Sequence, residues 1–145
     1  MRDAGFLVAT IIDMFESDGK QIAVLDTAVS HAPEVFEYDW SPPVSESCPE
    51  GEFTYILAGC SCLAGDVFGE YSFEKPKKVG DKVVFEEMGA YTTVKTSWFN
   101  GINMPNIYVL TQDGKISLRK SYTYEDFAKH CGADQVAINR TPDPN

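Results

Sequence analysis

Gly59-Cys60-Ser61-Cys62-Leu63-Ala64-Gly65-Asp66 sets two thiols and a carboxylate in one glycine-flanked stretch, and Met88-Gly89-Ala90-Tyr91-Thr92 adds a phenol among small residues. Both stretches lie between apolar runs, where turns free side chains to reach a ligand instead of filling a core. On a strand, Cys60 and Cys62 would point to the same face, which invites a metal. No metal site is expected, because C-x-x-C and H-x-x-x-H spacings are both absent and His31 and His130 stand alone. A bond between the two thiols conflicts with disulfide geometry. Read singly, a cysteine near a strand end is also a small buried hydrophobe, and a tyrosine is also an amphipathic packing residue. Glu86 and Glu87 are neighbours on a strand, face opposite ways, and do not make a carboxylate pair.

The elements that must hold these residues are mostly strands. Residues 6–15 and 21–26, joined by the turn Ser17-Asp18-Gly19-Lys20, read as a hairpin. Residues 66–73, 82–86, 106–111 and 116–122 continue the pattern, with turn residues between them. Short strands at this spacing predict an all-β fold, a Greek-key-like β-barrel with one or two short helices. Residues 32–36 could start one helix with Pro33 in its first turn. Thr123-Tyr124-Glu125-Asp126 reads as a capping box opening another through His130, with Gly132 beyond its end. Residues 40–51, rich in Pro, Ser and Glu, are expected to be a surface loop. Thr141-Pro142-Asp143-Pro144-Asn145 ends a stretch, 134–145, expected to be a flexible tail.

Composition narrows the classes of function. A chain of 145 residues with 43% hydrophobic residues builds one domain, burying roughly 68–70% of the surface of its unfolded form. Twelve basic against 22 acidic residues, a net charge of -10, argue against nucleic acid, whose phosphates need clustered Lys and Arg. The same charge suits a cationic partner, and also plain solubility. The apolar run at residues 6–12 is too short for a membrane span and lacks the build of a signal peptide. The expectation is a cytoplasmic protein whose four cysteines stay reduced.

The chain from residue 5 to 133 resembles the carboxy-terminal domain of the fold-type III, pyridoxal-phosphate-dependent decarboxylases of basic amino acids and polyamine precursors. In that family a turn of the type Gly-Pro-x-Cys, followed within four residues by Asp, carries a cysteine that protonates the α-carbon after carbon dioxide leaves. Gly59, Cys62 and Asp66 match it. The resemblance thus implies that Cys62 is the proton donor, that Asp66 belongs to the substrate-binding turn, and that Cys60 stands on the family's proline. Leu63 replaces the acidic residue of the ornithine- and diaminopimelate-type members, which favours the branch acting on carboxynorspermidine and carboxyspermidine. The Tyr of the family's Gly-Ala-Tyr turn donates to the cofactor phosphate, which implies that role for Tyr91, a neutral and directional O–H donor.

Phe99-Asn100-Gly101 resembles a family turn beside the active site at the dimer interface. Ser30-His31-Ala32-Pro33-Glu34-Val35 resembles a stretch of the carboxynorspermidine branch, with no role implied for His31. The lysine that anchors pyridoxal 5'-phosphate and its glycine-rich phosphate cradle lie in the family's amino-terminal (β/α)8 barrel. On that resemblance the chain is expected to be the other half, inactive alone, with the barrel, a cationic polyamine-precursor substrate and a second copy as its partners. Lys77 and Lys78 sit in a charged turn and are read as solvated. Two further readings stay open. One is a stand-alone, non-catalytic β-barrel binding a cationic ligand or a partner protein; the other is a decarboxylase of another diamino acid such as diaminopimelate.

Overall fold

The longest strand, β1 (Leu7–Ser17), alternates Leu7, Ala9 and Ile11 inward with Val8 and Ile12 outward, the period of two that a half-buried strand requires. It turns into β2 (Lys20–Leu25) through Asp18 and Gly19, both at positive φ (51° and 74°). That conformation matches strand twist in a two-residue hairpin. The computed structural model describes residues 5–133; the tail expected at 134–145 lies outside them. The remaining elements up to residue 102 are α1 (Glu34–Glu37), β3 (Phe53–Ala58), β4 (Val67–Phe73), β5 (Lys82–Phe85) and α2 (Ala90–Lys95), with 3-10 turns at Val29–His31 and Phe99–Gly101.

Five strands form one sheet in the order β4-β3-β2-β1-β5. β1 pairs with β5 through residues 7–10 and with β2 through residues 11–17, with a bulge between Ile11 and Asp13 where it changes partner. The edges β4 and β5 are far apart in that order, yet the rings of Phe68 and Phe85 stack at 4.5 Å between centroids. The sheet is therefore curled on itself. Val44 bridges Phe85 and Ser47 bridges Phe73, so one short segment touches both edges. Leu7, Ala9, Ile11, Leu25, Leu57, Phe68, Phe73, Val83 and Phe85 fill the hollow.

Two expectations change here. Residues 40–51 do not simply cover the surface: Pro42 and Val44 are buried, and the Tyr71 hydroxyl donates to the Pro42 carbonyl at 2.8 Å. The polar composition hid two apolar residues that plug the gap between the sheet edges. β3, the short apolar run that precedes the Gly59 turn, is not among the expected strands. β2 and β3 pair in parallel, which demands a long crossover between them; residues 26–52 are that crossover.

A second compact unit runs from Asn103 onward. It holds the antiparallel pair β6 (Ile107–Leu110) and β7 (Ile116–Lys120), then α3 (Tyr124–His130). α3 opens on the capping box read from the sequence, with the Thr123 N–H donating to Asp126 Oδ2 at 2.9 Å. Among the described residues no helix is long and apolar enough to cross a membrane.

Candidate functional site

Because β2 and β3 run parallel, the turns that leave them emerge side by side. The Cys60 N–H donates to the Thr27 carbonyl at 2.9 Å, tying the turn after β3 to the turn after β2. Asp66 completes the tie. Its buried carboxylate accepts from the Val29 N–H through Oδ1 (2.8 Å), and from the Ser61 N–H (2.9 Å) and Ser61 hydroxyl (2.5 Å) through Oδ2. A side chain at Gly59 would put its Cβ 2.2–2.4 Å from the three carboxylate atoms, so glycine here is required by close approach. Residues 59–66 are thus a fixed loop built around one carboxylate.

The loop separates the two thiols. Cys62 is exposed and Cys60 is half-buried, which replaces the expectation that they share a strand face: they lie beyond the end of β3, in the turn. Burial pushes the Cys60 thiol up, and the charges of Asp66 and Asp26 push the same way. Cys60 is therefore held as the neutral thiol. Leu63, next to Cys62, packs against the core and anchors the tip.

His31, for which the sequence offered no role, lies behind this loop. It is buried, its Nδ1 is hydrogen-bonded with Thr27 Oγ1 at 2.8 Å, and its Nε2 has no partner among the described residues. Burial lowers its pKa from 6.5 to about 4, against the opposing pull of Asp66. The folded ring is neutral where the unfolded one takes a proton, so stability is full above 6.5 and falls as pH drops toward 4. The expected loss is about 3 kcal/mol. His31→Asn keeps a donor toward Thr27 and should flatten that part of the curve; urea midpoints for both proteins at the two ends of the interval check it, and equal slopes would contradict it.

Tyr91 is not on a strand or open turn but in the first turn of α2, with 63% of its surface exposed. Its hydroxyl lies 3.5 Å from that of Tyr38, at the end of α1, and this contact raises the Tyr38 pKa. Lys95, one helical turn on from Tyr91, is ion-paired with Glu37. α1 also reaches the thiol loop, since the Phe36 ring lies 3.9 Å from where a Cβ on Gly65 would sit. The structure therefore gathers Cys62 and Asp66 in one loop and Tyr91 with Tyr38, with α1 touching both groups. Sequence reasoning missed Tyr38, Ser61 and Thr27, and no spacing signal ties them to their partners.

The exposed phenol of Tyr91, a neutral O–H donor, fits the phosphate of a cofactor. Lys95 and Lys77 do not offer its carbonyl anchor. The Glu37 carboxylate holds the Lys95 pKa up, and Lys77 is ion-paired with Glu46 and lies over the Phe73 ring. A nucleophilic amine needs the opposite shift. Among the described residues no group of three His, Cys, Asp or Glu side chains could hold a metal. An open cleft of about 360 Å³ lies at the other end of β2 and β3, lined by Lys20, Glu52 and Glu70 among others, and none of the candidate residues borders it.

Residues 2–89 match the family model described as pyridoxal-dependent decarboxylase, C-terminal sheet domain; Tyr91 lies just beyond the match. A carboxynorspermidine/carboxyspermidine decarboxylase of Campylobacter jejuni is 38% identical over 138 residues, covering 86% of this chain and 36% of the relative. A carboxyaminopropylagmatine decarboxylase of Synechocystis is 40% identical over 131 residues, covering 88% and 34%. The crystal structure of carboxynorspermidine decarboxylase complexed with norspermidine from Campylobacter jejuni superposes with a TM-score of 0.82 at 37% identity, covering 86% of this chain and 38% of that one. The chain thus spans little more than a third of the length of these relatives.

Proposed function

Because this chain belongs to the pyridoxal-dependent decarboxylase family, as its C-terminal sheet domain, we propose that it is the carboxy-terminal part of a polyamine-biosynthetic enzyme. That enzyme decarboxylates carboxynorspermidine or carboxyspermidine. The observation that carries the reading is the loop at residues 59–66, in which one thiol is exposed at the tip while the buried Asp66 carboxylate fixes the backbone beneath it. The Synechocystis relative, at 40% identity, favours carboxyaminopropylagmatine as a second substrate reading.

In this reading residues 5–133 act as one functional domain. The curled sheet is a Greek-key-like barrel, supported by the bridges from Val44 and Ser47 to its two edges. Pyridoxal phosphate, when bound, supplies the electron sink that lets carbon dioxide leave the α-carbon. It is held mainly by a (β/α)8 barrel outside this chain, which leaves this chain inactive alone. The Cys62 Sγ–H delivers the proton to that carbon. Asp66 serves substrate binding by fixing the loop that presents Cys62, and the Tyr91 O–H donates to a phosphate oxygen. Homodimerisation and a cytoplasmic setting, where the Cys62 thiol stays reduced, complete the proposal.

The experiment supplies the amino-terminal barrel of the Campylobacter jejuni relative to this chain and measures carbon dioxide release from carboxynorspermidine and carboxyaminopropylagmatine. Turnover is expected from the pair and none from the chain alone; a pair that assembles yet turns over neither substrate overturns the reading. Tyr91→Phe in the pair should weaken the cofactor about 10- to 150-fold, the equivalent of one hydrogen bond to a charged acceptor at roughly 1.5–3 kcal/mol. Equilibrium dialysis of the cofactor measures this, and unchanged affinity removes Tyr91 from the site.

A further inference from the structure

Glu37 and Tyr38 at the end of α1 face Tyr91 and Lys95 on α2, and together they surround one ammonium group. Lys95 Nζ lies 5.1 Å from the centroid of the Tyr38 ring and 5.0 Å from that of Tyr91. Glu37 closes a third side as its ion-pair partner. The two hydroxyls, 3.5 Å apart, link the rims of the rings. The Lys95 side chain is only 22% exposed, against 61% and 63% for the tyrosines. The Lys95 stem is thus largely covered, and its ammonium lies against the two ring faces and the Glu37 carboxylate.

Aromatic faces carry negative potential, and a carboxylate beside them supplies the counter-charge; this is the chemistry by which aromatic cages hold cationic nitrogen. Nothing in that arrangement requires the nitrogen to belong to this chain. Its present occupant is a primary ammonium on an unbranched alkyl stem, which defines the ligand class by example. The net charge of -10 concentrates such cations near the surface. We propose that Tyr38, Tyr91 and Glu37 form a binding site for the primary ammonium end of a linear aliphatic amine, and that Lys95 occupies it in the free chain as an internal competitor. The ligand engages the face of Tyr91 and leaves its oxygen available. That the amine is the enzyme's own substrate or product rests on the decarboxylase reading; the site itself does not.

The test titrates norspermidine, as a linear triamine probe, into the full chain, Lys95→Met and the charge-matched control Lys78→Met, by calorimetry and by the NMR signals of the tyrosine rings. Lys95→Met should bind about tenfold tighter or better than both the native chain and Lys78→Met, as expected when a competing ion pair and cation–π contact are removed. The Tyr38 and Tyr91 ring signals should move. Adding Glu37→Gln or Tyr38→Leu to Lys95→Met should return the affinity to the native level. Lys95→Gln serves if Lys95→Met fails to fold. Equal affinity of the Lys95 variants and Lys78→Met, including no binding by any of them, overturns the proposal, as does a gain that survives Glu37→Gln and Tyr38→Leu. No readout here depends on turnover, so failure of this site and failure of the decarboxylase reading are seen separately.

Discussion

Cys62→Ala, in a protein completed with the amino-terminal barrel, is expected to lose turnover by roughly 10²- to 10⁴-fold, the range for removing a positioned acid. The motive is twofold. Counted from Gly59, Cys62 falls where the family turn places its proton donor, and it is the exposed thiol of the pair. Cys60 provides an internal control of the same chemistry in the same loop: it is half-buried, its backbone is tied to Thr27, and its thiol is pushed toward the protonated form. Cys60→Ala should therefore behave as a small packing change. Turnover and product identity are to be measured for both variants at equal folded fraction. A larger loss for Cys60→Ala would show that the register is displaced, and every role assigned from it would move.

The second large effect is expected at Asp66. Asp66→Asn keeps the size of the side chain but turns one acceptor into an amide that opposes the Ser61 donors or the Val29 N–H. The three hydrogen bonds to a buried, charged acceptor are worth roughly 1.5–3 kcal/mol each and are not additive. A destabilisation on the order of 3–5 kcal/mol follows. Gly59→Ala should produce the same lesion from the other side, because its Cβ would overlap the carboxylate. Urea midpoints measure the loss, and the rate at which Cys62 reacts with a thiol reagent reports whether the loop has loosened. A normal midpoint with a defect confined to KM would instead assign Asp66 to direct contact with substrate.

Much of each unit was legible because its signals are local. Asp18-Gly19 can close a two-residue hairpin, and Thr123 with Asp126 can cap a helix, whatever the rest of the chain does. α2 was not legible, since Ala90-Tyr91-Thr92-Thr93-Val94-Lys95 is rich in β-branched residues that favour strands. The helix is held by tertiary contact, its C-terminal Thr96 Oγ1 donating to the His31 carbonyl, while Thr93 and Thr96 also bond back to the Gly89 and Thr92 carbonyls. The candidate site shows the same divide. The identities of Cys62, Asp66 and Tyr91 stood in the sequence, but the partners that give them geometry did not. Asp66 is 37 residues from Val29, and Tyr91 is 53 from Tyr38. Those pairings follow from the parallel register of β2 and β3 and from α1 folding back, neither of which leaves a periodic mark.

The parallel pairing of β2 with β3 also sets an order of events during folding. β1–β2 and β3–β4 are hairpins whose ends meet over short loops, whereas β2 and β3 must close the 26–52 crossover, a slower search at greater entropic cost. The hydrogen bonds from Cys60 to Thr27 and from Val29 to Asp66 exist only after that closure. The loop at residues 59–66 is thus a seam between two hairpins and is expected to be among the last regions to acquire native contacts. Lesions in the seam should leave the rate of collapse into hairpins nearly untouched and speed the escape from the native state. Asp66, proposed to fix the loop that presents Cys62, is thus also expected to slow escape from the native state, which the unfolding rate of Asp66→Asn checks.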